Sequence, residues 1–143
     1  GRPEEGDRLA DIAQGFTLNR FHRDRRIDPV KARGVYRGWA RTALEGRHGD
    51  LLLAEVEGEV AGLATFAVAD GELGVGLVAL VAVHPDFRGR RVLDALMAGC
   101  ERALGGDVLV TSTQVSNGPA LRAFGRHGLL PYGARHIFHR WFK

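Results

Sequence analysis

Three arginines around one glycine are the densest chemical signal in this chain. Arg88, Gly89, Arg90 and Arg91 lie between an apolar run, residues 79–83, and a helical pattern in which Val92, Leu96, Cys100 and Ala103 share a side. His84, Pro85 and Asp86 break the run. A strand, a Gly- and Arg-bearing loop and a helix start together suit an anion. First-turn N–H groups have no partner within the helix, the dipole adds roughly 0.3–1 kcal/mol, and guanidinium groups match phosphate. Phosphate binding is therefore the chemistry expected over residues 88–93.

Groups that could move a proton or attack are scattered. Asp70 and Glu72 precede the strand that feeds the loop, and Glu55 lies in a hairpin; each reads first as a turn or surface carboxylate. His127 precedes Gly128 at a helix end, where the dipole alone favours a cation. His136 and His139 stand three apart in an extended segment and so face opposite ways. With one cysteine and no carboxylate cluster beside them, no metal site is expected. Cys100 falls on the apolar stripe of a helix and reads as core, not nucleophile. Arg20, Arg23, Arg25 and Arg26 form a basic cluster that reads as solvated surface or as a contact for a substrate phosphate.

The elements that must hold these groups follow from periodicity and punctuation. A short helix is expected from Asp7 through Gln14, with Leu9, Ile12 and Ala13 as its apolar side. Residues 16–27 read as a loop with a helical turn. Asp28 and Pro29 open a helix to about Leu44, with Val35, Trp39 and Leu44 on its buried side, flanked by Ala32 and Tyr36. Strands follow at 51–56 and 60–68 around a turn at Glu57-Gly58, then at 73–83, where Gly74 and Gly76 signal a bulge or a close approach. After the loop helix, Gly105-Gly106 leads to a strand over 107–114, a helix from about Asn117 to His127, and a last extended segment over 131–142. Hairpins first and strand–helix–strand units later predict one α/β domain over 1–143, a mixed sheet flanked by helices.

Composition excludes several classes. The chain has 143 residues, 45% apolar and 26% charged, with 20 basic against 17 acidic side chains and a net charge of +3. That balance is too small to argue for nucleic acid. No apolar run has the length of a membrane span, and no signal-peptide pattern opens the chain. One cysteine rules out an internal disulfide and fits a reducing, cytoplasmic setting. Only Lys31 and Lys143 are lysines; an Arg-, Ala- and Gly-rich usage suggests a GC-rich bacterial genome.

The order of elements and two motifs resemble the GNAT superfamily of acetyl-CoA-dependent N-acetyltransferases. The stretch from Val83 to Arg90 resembles that family's cofactor loop. Asn117, Ala120, Phe124, Gly128 and Leu129 resemble its second signature, an Asn-led helix ending in Gly-Phe. The resemblance implies acetyl-CoA as cosubstrate, held by Leu80, Val81 and Val83 along a strand edge, by Arg88, Gly89, Arg90, Arg91, Val92 and Leu93 in the loop, and by Asn117 and Phe124. It implies a small-molecule amine as acceptor and allows a homodimer; with no placed nucleophile, direct attack without an acyl-enzyme is expected, and the charge balance and apolar runs give no reason to expect a nucleic acid or membrane partner. Arg20-Phe21 with Asp24 and Ile27, Tyr36 and Trp39, Thr113-Gln114 and residues 139–142 are similar to dTDP-fucosamine acetyltransferase-type members. That likeness puts Arg20, Arg23 and Gln114 at an amino-sugar site.

The chain departs from the pattern at three places. Arg91 and Leu93 stand where the family has Gly and then Gly or Ala, and a bulky Leu93 either turns into the core or crowds the cofactor. Phe124 occupies the position of the Tyr that protonates the leaving thiolate, which makes His127 the nearest substitute and Glu72 a candidate base. Nothing before Asp7 reads as the family's usual first strand. The alternative to an enzyme is a degenerate GNAT fold that serves as a binding or interaction module.

Overall fold

The computed structural model describes residues 8, 9, 11, 12, 24–47, 49–70, 72–138 and 140. Four strands form one sheet in the order β1 (Asp50–Val56), β2 (Glu59–Asp70), β3 (Val75–Val83), β4 (Val108–Thr111). The first three pair antiparallel and β3 pairs parallel with β4, so the sheet is mixed as expected. Helix α1 (Pro29–Leu44) precedes the sheet, α2 (Val92–Leu104) crosses from β3 to β4, and α3 (Gly118–Arg126) follows β4.

Local chemistry explains the ends. Asp28 caps α1, its carboxylate accepting from the Val30 and Lys31 N–H groups, and Pro29 opens the helix. The β1–β2 hairpin turns on Glu57 and Gly58, both at positive φ, 55° and 82°. That is the two-residue turn whose twist suits adjacent strands. Gly76 is a close approach, since a Cβ there would meet the Leu104 side chain. Gly74, also flagged by its residue type, sits at φ 60° in the turn before β3.

Two apolar layers sandwich the sheet. On one face α2 lays Val92, Leu96, Met97 and Cys100 on Ala64, Phe66 and Val78, and Ala120 and Phe124 of α3 join the same cluster. Gly99 brings α2 down onto Leu52. Ala103, expected on this stripe, is exposed; Met97 and Gly99 complete the buried side instead. On the other face Leu9 and Ile12, both helical and buried, pack with Leu63, Leu80 and Ala82. In α1 Ala32 and Ala43 are buried and Val35 is half-buried, while Trp39, on the same side, keeps 40% of its surface exposed; the Tyr36 and Leu44 side chains lie outside the described residues.

Two extended segments are shorter than their composition suggests. β4 ends at Thr111, and Gln114 lies in the irregular stretch beyond it. Residues 131–138 and 140 form no regular element; Tyr132, Ile137 and Phe138 are exposed. Apolar content alone does not make a strand without an edge to pair with.

Candidate functional site

β3 carries the feature that organises the site. Its pairing with β2 shifts register between Thr65–Leu80 and Phe66–Val78, leaving Ala79 as an extra residue. The bulge reverses the side-chain alternation. Val78 faces the α2 layer, and beyond the bulge so do Val81 and Val83, whereas Leu80 and Ala82 lie in the opposite layer. Parallel pairing to β4 stops at the same place, with Val78 opposite Thr111, whose hydroxyl donates to the Val78 carbonyl at 3.0 Å. Past that point β4 leaves the sheet. The His84 N–H donates to Ala61 of β2 at 2.8 Å. Alternation back from it turns the Ala82 and Leu80 backbone toward β2, and Val81 and Val83 toward the opened side. Of the edge expected at Leu80, Val81 and Val83, the two valines have the outward polar groups.

The loop after β3 is built by its own side chains. The Asp86 N–H donates to His84 Nδ1 at 3.2 Å, so His84 caps the short 3₁₀ turn Pro85–Phe87, a structural part for this histidine. Phe87 is buried, and the Arg90 guanidinium lies 5.4 Å above its ring centre. Gly89 and Arg91 both take positive φ, 78° and 59°. Arg91 is the N-cap of α2 in the left-handed region and gives no side-chain cap. The first-turn N–H groups of α2 therefore lack the side-chain acceptor that usually satisfies one of them. Those free donors, with Arg88, Arg90 and Arg91 around them, fit a pyrophosphate. Leu93 is half-buried and packs against the cluster of Val92, Leu96 and Phe124, so its bulk is spent on the core.

At α3, Asn117 is the N-cap: its Oδ1 accepts from the Ala120 N–H at 3.4 Å and its Nδ2 donates to Thr113 Oγ1 at 3.0 Å. Gln114 is half-buried, with its carbonyl accepting from the Asn117 N–H. Phe124 is 7% exposed and belongs to the core cluster. His127 lies between two α2 carboxylates, Nε2 3.4 Å from Asp94 and Nδ1 3.1 Å from Glu101. Glu72 is exposed in the turn before β3, at the end of that strand opposite the arginine loop. The loop follows directly on the β3 edge, the helix that Asn117 caps joins the α2 cluster through Ala120 and Phe124, and Glu72 stands apart; Arg20 and Arg23 lie outside the described residues.

One hub was not singled out by residue type or spacing. Asp94, in the first turn of α2, accepts from Arg126 Nε at 3.1 Å and from Arg126 Nη2 at 3.0 and 3.1 Å, and from Arg91 Nε at 3.4 Å. Burial pushes the Asp94 carboxyl up, and the Arg126 and Arg91 guanidinium groups outweigh it, leaving the carboxyl below the usual carboxylate range. Cys100 is fully buried, and burial with the Glu101 charge pushes its thiol up to about 11. Among the described residues no group of three or more His, Cys, Asp or Glu could hold a metal ion, and no helix is long and apolar enough to cross a membrane.

The family model described as the acetyltransferase (GNAT) family matches residues 11–129. The chain belongs to that family, whose enzymes use acetyl-CoA as cosubstrate. It is 28% identical over 147 residues to the spore coat polysaccharide biosynthesis protein SpsD of Bacillus subtilis (strain 168); the match takes in 99% of this chain and spans about half, 50%, of that curated relative. Among solved structures, PH1933 from Pyrococcus horikoshii OT3 superposes with a TM-score of 0.74 at 16% identity, over 96% of this chain and 88% of that one. A ribosomal-protein-alanine N-acetyltransferase from Brucella melitensis biovar Abortus 2308 gives 0.65 at 17% identity, over 96% and 93%. AAC(6')-Iy in complex with a CoA-based bisubstrate analog gives 0.62 at 19%, over 98% and 93%. At these identities the shared property is the fold.

Proposed function

We propose that this domain transfers an acetyl group from acetyl-CoA to the amine of a small molecule, of the amino-sugar class, by direct attack of the amine. The observation that carries the reading is the occurrence of three features in one domain. They are the β3 edge released beyond the Ala79 bulge, the α2 start without a side-chain cap, and the Asn117 cap of α3. The similarity to SpsD supports the sugar class.

Each residue then has a part. Outward groups of Val81 and Val83 would pair with the amides of the pantetheine arm like an added strand. N–H groups at the start of α2 and the guanidinium groups of Arg88, Arg90 and Arg91 would hold the pyrophosphate, charge-assisted contacts being worth roughly 1.5–3 kcal/mol each. Acetyl-CoA supplies the activated thioester. The amino-sugar likeness assigns Arg20, Arg23 and Gln114 to the acceptor. A buried thiol with a pKa of about 11 makes a poor nucleophile, which supports transfer without an acyl-enzyme on Cys100. Phe124 has no proton to give, and both ring nitrogens of His127 face carboxylates, so the leaving thiolate would be protonated by water.

Isothermal titration with acetyl-CoA, followed by amino-sugar acceptors, tests the reading. Saturable binding is expected, and no heat at millimolar acetyl-CoA would overturn it. Phe124 favours one rival, a GNAT fold that binds without turnover. Tight acetyl-CoA binding with no transfer to any amine in a broad acceptor panel would select that rival.

A further inference from the structure

We infer that Asp94 and Arg126 form a clamp that sets the spacing between the two helices bordering the cofactor site, making Asp94 a positioning residue for acetyl-CoA. The inference rests on the reading of the site proposed above. Asp94 lies in the first turn of α2, beside the donors assigned to the pyrophosphate; Arg126 lies in the last turn of α3, whose first turn begins at Asn117. One ligand must touch both helices at once. A shift of either relative to the other would break one set of contacts while the other held.

The geometry is that of a fixed joint. Arg126 reaches Asp94 through three contacts of 3.0–3.1 Å, and the carboxylate side chain is only 13% exposed. The joint continues down the same side of α2. Glu101, two turns on from Asp94, meets His127, the neighbour of Arg126, and His127 also reaches Asp94. Arg126 and the C-cap residue His127 thus read two carboxylates of α2. The rest of the attachment of α3 is apolar, through Ala120, Ala123 and Phe124, and apolar contacts fix distance less sharply than a forked ion pair.

Charge alone argues the other way. A carboxylate beside a phosphate site repels the ligand, so an electrostatic account makes Asp94 a hindrance. The clamp makes it a help, and the two accounts predict opposite signs. Among the described residues Arg91, Arg126 and His127 are the charged or titratable groups paired with it, and Glu101 meets it only through His127.

The test measures acetyl-CoA affinity by titration in wild type, Asp94→Asn, Arg126→Gln and the double variant, at a temperature where each is folded. The clamp predicts that Asp94→Asn weakens binding about ten-fold, that Arg126→Gln does the same, and that the double variant is no worse than either single one. S-acetyl-pantetheine, which lacks the pyrophosphate and so does not span both helices, should lose much less. If Asp94→Asn does not fold, Asp94→Glu and Arg126→Lys carry the test: both keep the charges and disturb the fork, and each should weaken binding a few-fold. Unchanged or tighter binding in Asp94→Asn, or in the conservative pair, would overturn the clamp even if melting temperatures fall. Wild type that fails to bind acetyl-CoA would instead remove the functional reading, and the clamp with it.

Discussion

Arg91 enters α2 with φ 59° and ψ 22°, a left-handed conformation that costs an L-residue with a Cβ roughly 1–2 kcal/mol. Arg91→Gly removes that cost. Two smaller effects oppose the gain. Glycine loses more backbone freedom on folding, about 0.4–1 kcal/mol. The variant also gives up the Arg91–Asp94 contact, which at 3.4 Å and with an arginine side chain 77% exposed contributes only about 0–0.3 kcal/mol. The net expectation is a gain of about 0.5 kcal/mol over wild type. Arg91→Ala is the control, because it loses the same contact and keeps the strained backbone. The glycine variant should exceed the alanine variant by about 1 kcal/mol, or roughly 3–5 °C in melting temperature for a chain of this length. Urea denaturation with equal slopes for both variants measures the difference directly. If Arg91→Gly is no more stable than Arg91→Ala, the backbone at this turn is not strained and the argument fails. A second readout sharpens it. If the guanidinium meets the pyrophosphate, both variants bind acetyl-CoA more weakly than wild type, so stability and affinity move in opposite directions in the glycine variant alone.

Two further predictions concern titrating groups. The Asp94 carboxyl is held below the usual carboxylate range in the folded state by Arg126 and Arg91 against its burial. A depressed folded pKa contributes stability above the unfolded pKa, and that contribution is lost as pH falls through the folded value. The stability gap between wild type and Asp94→Asn should therefore be flat near neutral pH and close below about pH 4, read by urea melts across that range; a gap independent of pH down to 2 would contradict the pairing. The Cys100 thiol, buried and raised to about 11, should be roughly one part in a thousand thiolate at pH 8. A disulfide-exchange reagent should leave it untouched in the native protein and label it fully in guanidinium, and Cys100→Ala should keep transferase activity. Rapid native labelling would refute its burial, and complete loss of activity in a folded Cys100→Ala would refute direct transfer.

Much of the fold was legible because local signals agreed with one another. The Asp28-Pro29 start of α1, the Glu57-Gly58 turn, the loop from His84 to Arg91 and the Asn117 cap all stand where residue type puts them. The extent of β4 and the fate of residues 131–138 were not legible, because strand formation depends on an available edge and not on composition. The part played by Asp94 was not legible for a related reason. It is one acidic residue in a helix, and its significance comes from Arg126, 32 positions away.

The bulge at Ala79 shows where a purely periodic reading stops. Residues 75–83 are apolar with one glycine, Gly76, to punctuate them, and an unbroken run carries no phase. The observed phase changes within it: Val78 and Val81 share a face although they are three apart, and Leu80 lies on the other. Without the extra residue, Val81 would face away from α2 and its backbone would turn toward β2. The outward groups of the opened edge would then fall at different residues. The same point ends the pairing with β4, sealed by the Thr111 hydroxyl on the Val78 carbonyl. One inserted residue thus decides which amides of β3 face the opened edge, and side-chain apolarity is blind to it because Ala, Leu and Val satisfy either phase.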